Sequence, residues 1–121
     1  MKKVLFGFLT TVSLISFASA GTTTPPTMPS NVNLYAINAN TQATGTVAQL
    51  YAGWNDNSNN ETVFFVSIFR LAYGISTVVA STTMNMNATG TYISVPVESA
   101  YYTYYAGVQA YNQYGISRMA T

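Results

Sequence analysis

Trp54-Asn55-Asp56-Asn57-Ser58-Asn59-Asn60-Glu61, running on into Thr62-Val63-Phe64-Phe65-Val66, is the stretch that decides the fold. Up to Trp54, apolar residues fall at every second position: Ala48, Leu50, Ala52 and Trp54. That period places them on one face of a strand over 46–54. The Asn/Asp/Ser run then turns the chain. Alternation resumes with Phe64, Val66 and Ile68 on a second strand over 62–71. A second informative stretch is 104–117, Tyr-Tyr-Ala-Gly-Val-Gln-Ala-Tyr-Asn-Gln-Tyr-Gly-Ile-Ser. There Tyr104, Ala106, Val108 and Ala110 share a face, and 112–115 reads as the following turn.

Together the two stretches resemble the fibronectin type III family. That family carries a tryptophan at the end of its second strand. Bacterial members often follow it with a W-x-D-x-S-x-N-E-like loop, which matches Trp54, Asp56, Ser58, Asn60 and Glu61. The family also has a tyrosine on its sixth strand, followed by V-x-A-x-N-x-x-G-x-S. Val108, Ala110, Asn112, Gly115 and Ser117 fit that pattern. The resemblance covers residues 29–121. It implies an all-β immunoglobulin-like sandwich of about seven antiparallel strands, with Trp54 and Tyr104 as structural core residues. Tyr104 would form the tyrosine corner, its hydroxyl bonding backbone a few residues upstream. One departure stands out. The family's Leu-x-Pro-like stretch, six residues before that tyrosine, meets Glu98 here. Val97 then fills the apolar slot, which implies a one-residue shift in that connection.

Residues 1–20 read as an export signal. Lys2 and Lys3 form a basic start, 4–17 is an apolar core, and Ala18-Ser19-Ala20 is an A-x-A cleavage site. The apolar run is too short to serve comfortably as an anchor, so no membrane span is expected after cleavage. Residues 21–29 hold three threonines in a row and three prolines, an extended leader with no evident place in the core. Residues 30–121 form the sandwich. The expected destination is the bacterial cell surface or the medium.

Composition narrows the function. The chain contains no cysteine and no histidine. Stability must therefore come from packing and sheet hydrogen bonds, despite an oxidising destination. Only 6% of residues are charged. Without Lys2 and Lys3, Arg70 and Arg118 face Asp56, Glu61 and Glu98, two against three, a net charge of −1. No basic patch exists to attract nucleic acid or an anionic membrane. A surface this neutral does not repel its own copies.

The remaining strands follow from alternation and punctuation. One is expected over 31–39, with Val32, Leu34 and Ala36 inward, and a turn over 40–45. A short strand lies near 76–81, followed by a polar connection over 82–90. Further strands cover 91–97, with Ile93, Val95 and Val97 inward, then 102–111 and 116–121.

Catalytic constellations are scarce. Nucleophile activation by histidine is impossible, and Cys–His pairs are equally excluded. The three carboxylates do not form an evident pair across a cleft, so no enzyme activity is expected. Asp56, Asn57, Asn59 and Glu61 offer oxygen ligands in one loop, as calcium prefers. Two carboxylates give little charge to hold a divalent ion, and Asn-rich turns commonly bond backbone instead. No metal site or cofactor is expected. The sequons at Asn60 and Asn87 read as chance matches in an Asn/Thr-rich chain.

The outward phase is more informative. With Phe64, Val66 and Ile68 inward, Phe65 and Phe69 point out. By the same alternation Tyr105 and Tyr111 point out. The two strands are neighbours in the fibronectin type III fold, so these aromatics converge on one exposed patch, with Tyr114 at its rim. Such a patch marks an interaction surface. The expected function is a secreted structural or adhesive module that self-associates, or that binds an extracellular protein or carbohydrate. The last strand is short, so part of its neighbour's edge should stand unpaired and open to strand addition, either by the leader or by another chain's edge.

Overall fold

The computed structural model describes residues 23–36, 47–96 and 102–121. The expected signal at 1–20, Gly21, the turn at 40–45, Val97 and Glu98 lie outside the described residues. Seven strands are described: β1 (Ser30–Ala36), β2 (Val47–Asn55), β3 (Val63–Ala72), β4 (Ile75–Asn85), β5 (Gly90–Pro96), β6 (Thr103–Asn112) and β7 (Gly115–Ile116). They form two antiparallel sheets. One has the order β1-β2-β5, the other β4-β3-β6-β7.

Alternation decides what fills the space between them. Ala48, Leu50, Ala52 and Trp54 of β2 face Phe64, Val66 and Ile68 of β3, with Ala106, Val108 and Ala110 of β6 beside them. Phe64, Val66, Ile68 and Val108 are wholly buried. Each such side chain contributes about 1.5–3 kcal/mol of transfer free energy. The Trp54 and Phe64 rings meet at 5.5 Å between centroids, joining the two sheets.

Three expectations need correction. The strand expected over 76–81 is β4, which runs eleven residues and pairs with β3 along its whole length. Its polar Thr and Asn residues disguised it. An edge strand with one half-covered face needs no strong apolar period, and β-branched threonine suits it. A bulge at Val79 takes up the extra residue between Ile68↔Ala80 and Phe69↔Val78. Second, Ala36 is exposed, and of the three residues expected inward Val32 and Leu34 pack against the core; positions 37–39 lie outside the described residues.

Third, residues 23–29 have a place in their own domain. Pro26 and Pro29 are buried. Thr24 C=O accepts hydrogen bonds from Asn60 Nδ2 at 3.2 Å and Asn112 Nδ2 at 2.9 Å. Met28 C=O accepts from Asn57 Nδ2 at 3.1 Å. The asparagines after Trp54 are thus the clamps that hold the segment before β1. Proline cannot join a ladder, so side-chain amides supply the attachment.

Candidate interaction surface

On the outward face of the four-stranded sheet, residues fall in rows set by register. Val78, Phe69 and Tyr105 make one row; Ser81, Ser67 and Gly107 the next; Thr83, Phe65 and Gln109 the third. Phe69 and Tyr105 stack, with centroids 5.0 Å apart and planes 13° apart. Phe65 packs diagonally on Tyr111 at 5.5 Å and 51°. Tyr105 Oη reaches across β3 to Ser76 Oγ at 3.0 Å.

The four aromatics therefore share one face, in two pairs rather than one stack. They are also less open than the sequence implied. Phe65, Phe69 and Tyr105 are half-buried, and only Tyr111 counts as exposed, at 38%. The rings shade each other, and Met119 lies in the gap between the pairs. A Cβ placed on Gly107 would stand 2.5 Å from Met119 Sδ and 2.9 Å from Phe69 Cε2. Glycine at 107 opens the slot that this side chain fills. Tyr114 is exposed in the β6–β7 turn, and no ring contact ties it to the other four among the described residues.

The opposite sheet carries an aromatic row that sequence reasoning missed. Tyr35, Tyr51 and Tyr92 stand side by side across β1, β2 and β5. Tyr51 and Tyr92 meet edge to face at 5.1 Å. Tyr35 and Tyr92 are more than half exposed. The Tyr51 ring lies over Gly90 and against Gly53, which leave it room. Each strand contributes a single tyrosine, so no segment alone shows the row. The signal that points to it is glycine inside β2, at Gly53, and at the start of β5, at Gly90, which marks a close approach.

A third aromatic group caps the β3–β4 hairpin. Tyr73 and Gly74 both have positive φ, 53° and 77°, as a two-residue turn of the I′ class requires. Tyr73 is 93% exposed, and its ring meets Tyr102 at 6.4 Å. The Arg70 guanidinium sits 5.0 Å from the Tyr102 centroid, a cation–π contact.

The loop after Trp54 serves the scaffold. Glu61, 5% exposed, accepts from Ser58 Oγ at 2.8 Å and from the Asn87 N–H at 2.9 Å. Asn87 is left-handed at φ 65°, in the turn between β4 and β5. Burial pushes the Glu61 carboxyl up, but the bonds from Asn87 and Ser58 outweigh it and hold the group below its ordinary value. Burial raises Asp56, opposed by the Ser58 N–H and reinforced by the Glu61 charge. The carboxylate oxygens are thus turned to Ser58 donors of the loop and to the Asn87 N–H of the β4–β5 turn.

The two-sheet order, with Trp54 between the sheets and β6 flanked by β3 and β7, defines the architecture. The fold is that of a fibronectin type III domain. The third such domain of the human KIAA0343 protein superposes with a TM-score of 0.55 at 13% identity, over 88% of this chain and 85% of that one. Titin kinase with its flanking domains gives 0.52 at 16%, over 81% of this chain and 16% of that one. The chicken CNTN1 FN1–FN3 domains give 0.50 at 10%, over 89% and 30%. No family model matches the sequence, and no curated protein matches it. Within this fibronectin type III sandwich, Tyr104 is half-buried and packs against the core. Its hydroxyl is buried without a partner among the described residues. The upstream backbone that a tyrosine corner would use, 97–101, lies outside them.

Proposed function

We propose that this chain is a secreted, non-catalytic contact module: a structural or adhesive protein of the bacterial cell surface that associates with its own copies. The observation that carries this reading is the pair of aromatic contacts, Phe69–Tyr105 and Phe65–Tyr111, on the outward face of one sheet. Half-buried rings lose little freedom on binding, so they make efficient anchors. The neutral coat supports the same reading, since few charges oppose the approach of a second copy. The export signal read at 1–20 supports the location. Sedimentation of the protein lacking residues 1–20 tests the reading. Large particles are expected from the pure protein.

A second reading, a monomeric binding module, is favoured by the tyrosine row on the opposite sheet. Tyr35 and Tyr92 present hydroxyls and ring faces together, which suits an extracellular carbohydrate or protein surface. A monomer that gains thermal stability on adding a soluble polysaccharide would favour it.

A further inference from the structure

We propose that the free edge of β4 pairs with the β4 edge of a second copy, antiparallel about a two-fold axis. This rests on the reading that the chain associates with itself, and names the contact.

Among the described residues, β4 is the outer strand of its sheet and pairs with β3 alone. The direction of its unpaired groups follows from one anchor. Val108 exchanges N–H and C=O with Ala120 at 2.9 Å each way, on the β7 side. Backbone groups of successive residues alternate in direction. Odd-numbered residues of β6 therefore point at β3, and even-numbered residues of β3 point at β4. By register, Ala80, Thr82 and Met84 turn back to β3. Ser81 and Thr83 turn their N–H and C=O away from the sheet.

Edge strands are normally blunted by charge, proline, bulges or brevity. Between Ile75 and Asn85 there is no charged residue and no proline. The one bulge, at Val79, leaves Ala80 to Asn85 in regular register. Other edges are protected. β1 has a register shift between Ser30 and Asn33, β5 carries Pro96 as its last described residue, and β7 has two residues. The described charges, Asp56, Glu61, Arg70 and Arg118, all lie off β4, so among the described residues no like charges on the two strands oppose pairing.

The stretch is also self-complementary. With Ser81 opposite Thr83 of the second copy, and Thr83 opposite its Ser81, both pairs exchange N–H and C=O. Their hydroxyls then meet on the outward face, a favourable cross-strand combination. The two four-stranded sheets become continuous, and the Phe69–Tyr105 row of each copy lies on the same side. Such a contact is isologous and closes at two.

The test uses Tyr111→Lys as background, because position 111 lies on β6, separated from β4 by β3. That charge disrupts the aromatic face and leaves the edge intact. The Tyr111→Lys protein should sediment as a dimer. Adding Thr83→Pro, which removes an outward N–H without touching the β3 ladder, should give a monomer with unchanged strand content. Adding Ser81→Lys should do the same by charge. In the unmutated protein, the Ser81 and Thr83 amides should exchange at least about tenfold more slowly at high than at low concentration. A monomeric Tyr111→Lys protein, a dimer that survives Thr83→Pro or Ser81→Lys, or concentration-independent exchange at both amides would overturn the edge contact. If Tyr111→Lys assembles as fully as the parent, the aromatic-face reading fails instead, and the edge is still decided by the two strand variants and the exchange.

Discussion

Met119 occupies the space that a side chain at position 107 would need. Its sulfur lies where a Cβ on Gly107 would meet it at 2.5 Å, beside Phe69 Cε2. The C-terminal segment is thereby held twice, by this side chain and by the Val108–Ala120 backbone pair. Gly107→Val should expel Met119, loosen that pair and cost about 1–3 kcal/mol, as overpacking does. Denaturant unfolding gives the energy, and faster exchange of the Ala120 amide shows where it arises. Unchanged exchange would place Met119 elsewhere.

The core makes a simpler prediction. Trp54 is 4% exposed and bridges the sheets through Phe64. Trp54→Ala should cost about 3–5 kcal/mol, a large share of what a small domain without disulfides can lose. A thermal melt reads it directly. A loss below about 1 kcal/mol would contradict the placement of this ring.

Glu61 predicts a pH dependence. Its folded-state carboxyl sits below the ordinary 4.5. Its stabilising contribution is therefore present above that value and fades as pH falls through the lower folded value. Glu61→Gln should cost about 1–3 kcal/mol near neutrality, because an amide cannot accept from both Ser58 and Asn87 equally well. The gap between variant and parent should close below pH 4.5. Asp56 works oppositely. Its folded value is raised, so it favours the folded state in acid and loses that advantage as pH rises. Asp56→Asn keeps an oxygen for the Ser58 N–H and should be neutral or mildly stabilising at pH 7. Urea unfolding across pH 3 to 7 checks both signs.

Gly90 answers for the row of tyrosines. A Cβ there would stand 2.5 Å from Tyr51 Cζ and 3.1 Å from the Ala52 carbonyl. Gly90→Ala should tilt the Tyr51 ring off the sheet and lower stability modestly. Under the binding-module reading, it should also weaken polysaccharide binding more than stability. An altered Tyr51–Tyr92 ring contact by NMR would confirm the displacement.

Much of the sandwich was legible because period-2 alternation survives wherever one face is fully buried. Phe64, Val66, Ile68 and the even positions of β2 announce themselves that way. The full length of β4 was hidden because its covered face carries Ala80, Thr82 and Met84 and its other face is wet. The docking of 23–29 was hidden because prolines and threonines show no period, and because its anchors, Asn57, Asn60 and Asn112, are distant in sequence. The aromatic face was legible in identity, since phase alone puts Phe65 and Phe69 opposite Phe64. How open it is was not. That depends on ring stacking and on Met119, which only register and the Gly107 slot reveal.

The most direct test of the central claim is sedimentation velocity on the protein lacking residues 1–20, compared with its Tyr111→Lys variant. Tyr111 is the most open of the four rings, so the change should leave the melting temperature within a few degrees, since about 1 kcal/mol is at stake. The account predicts large particles from the parent and nothing larger than a dimer from the variant. A strictly monomeric parent, or a variant that assembles as the parent does, would contradict it.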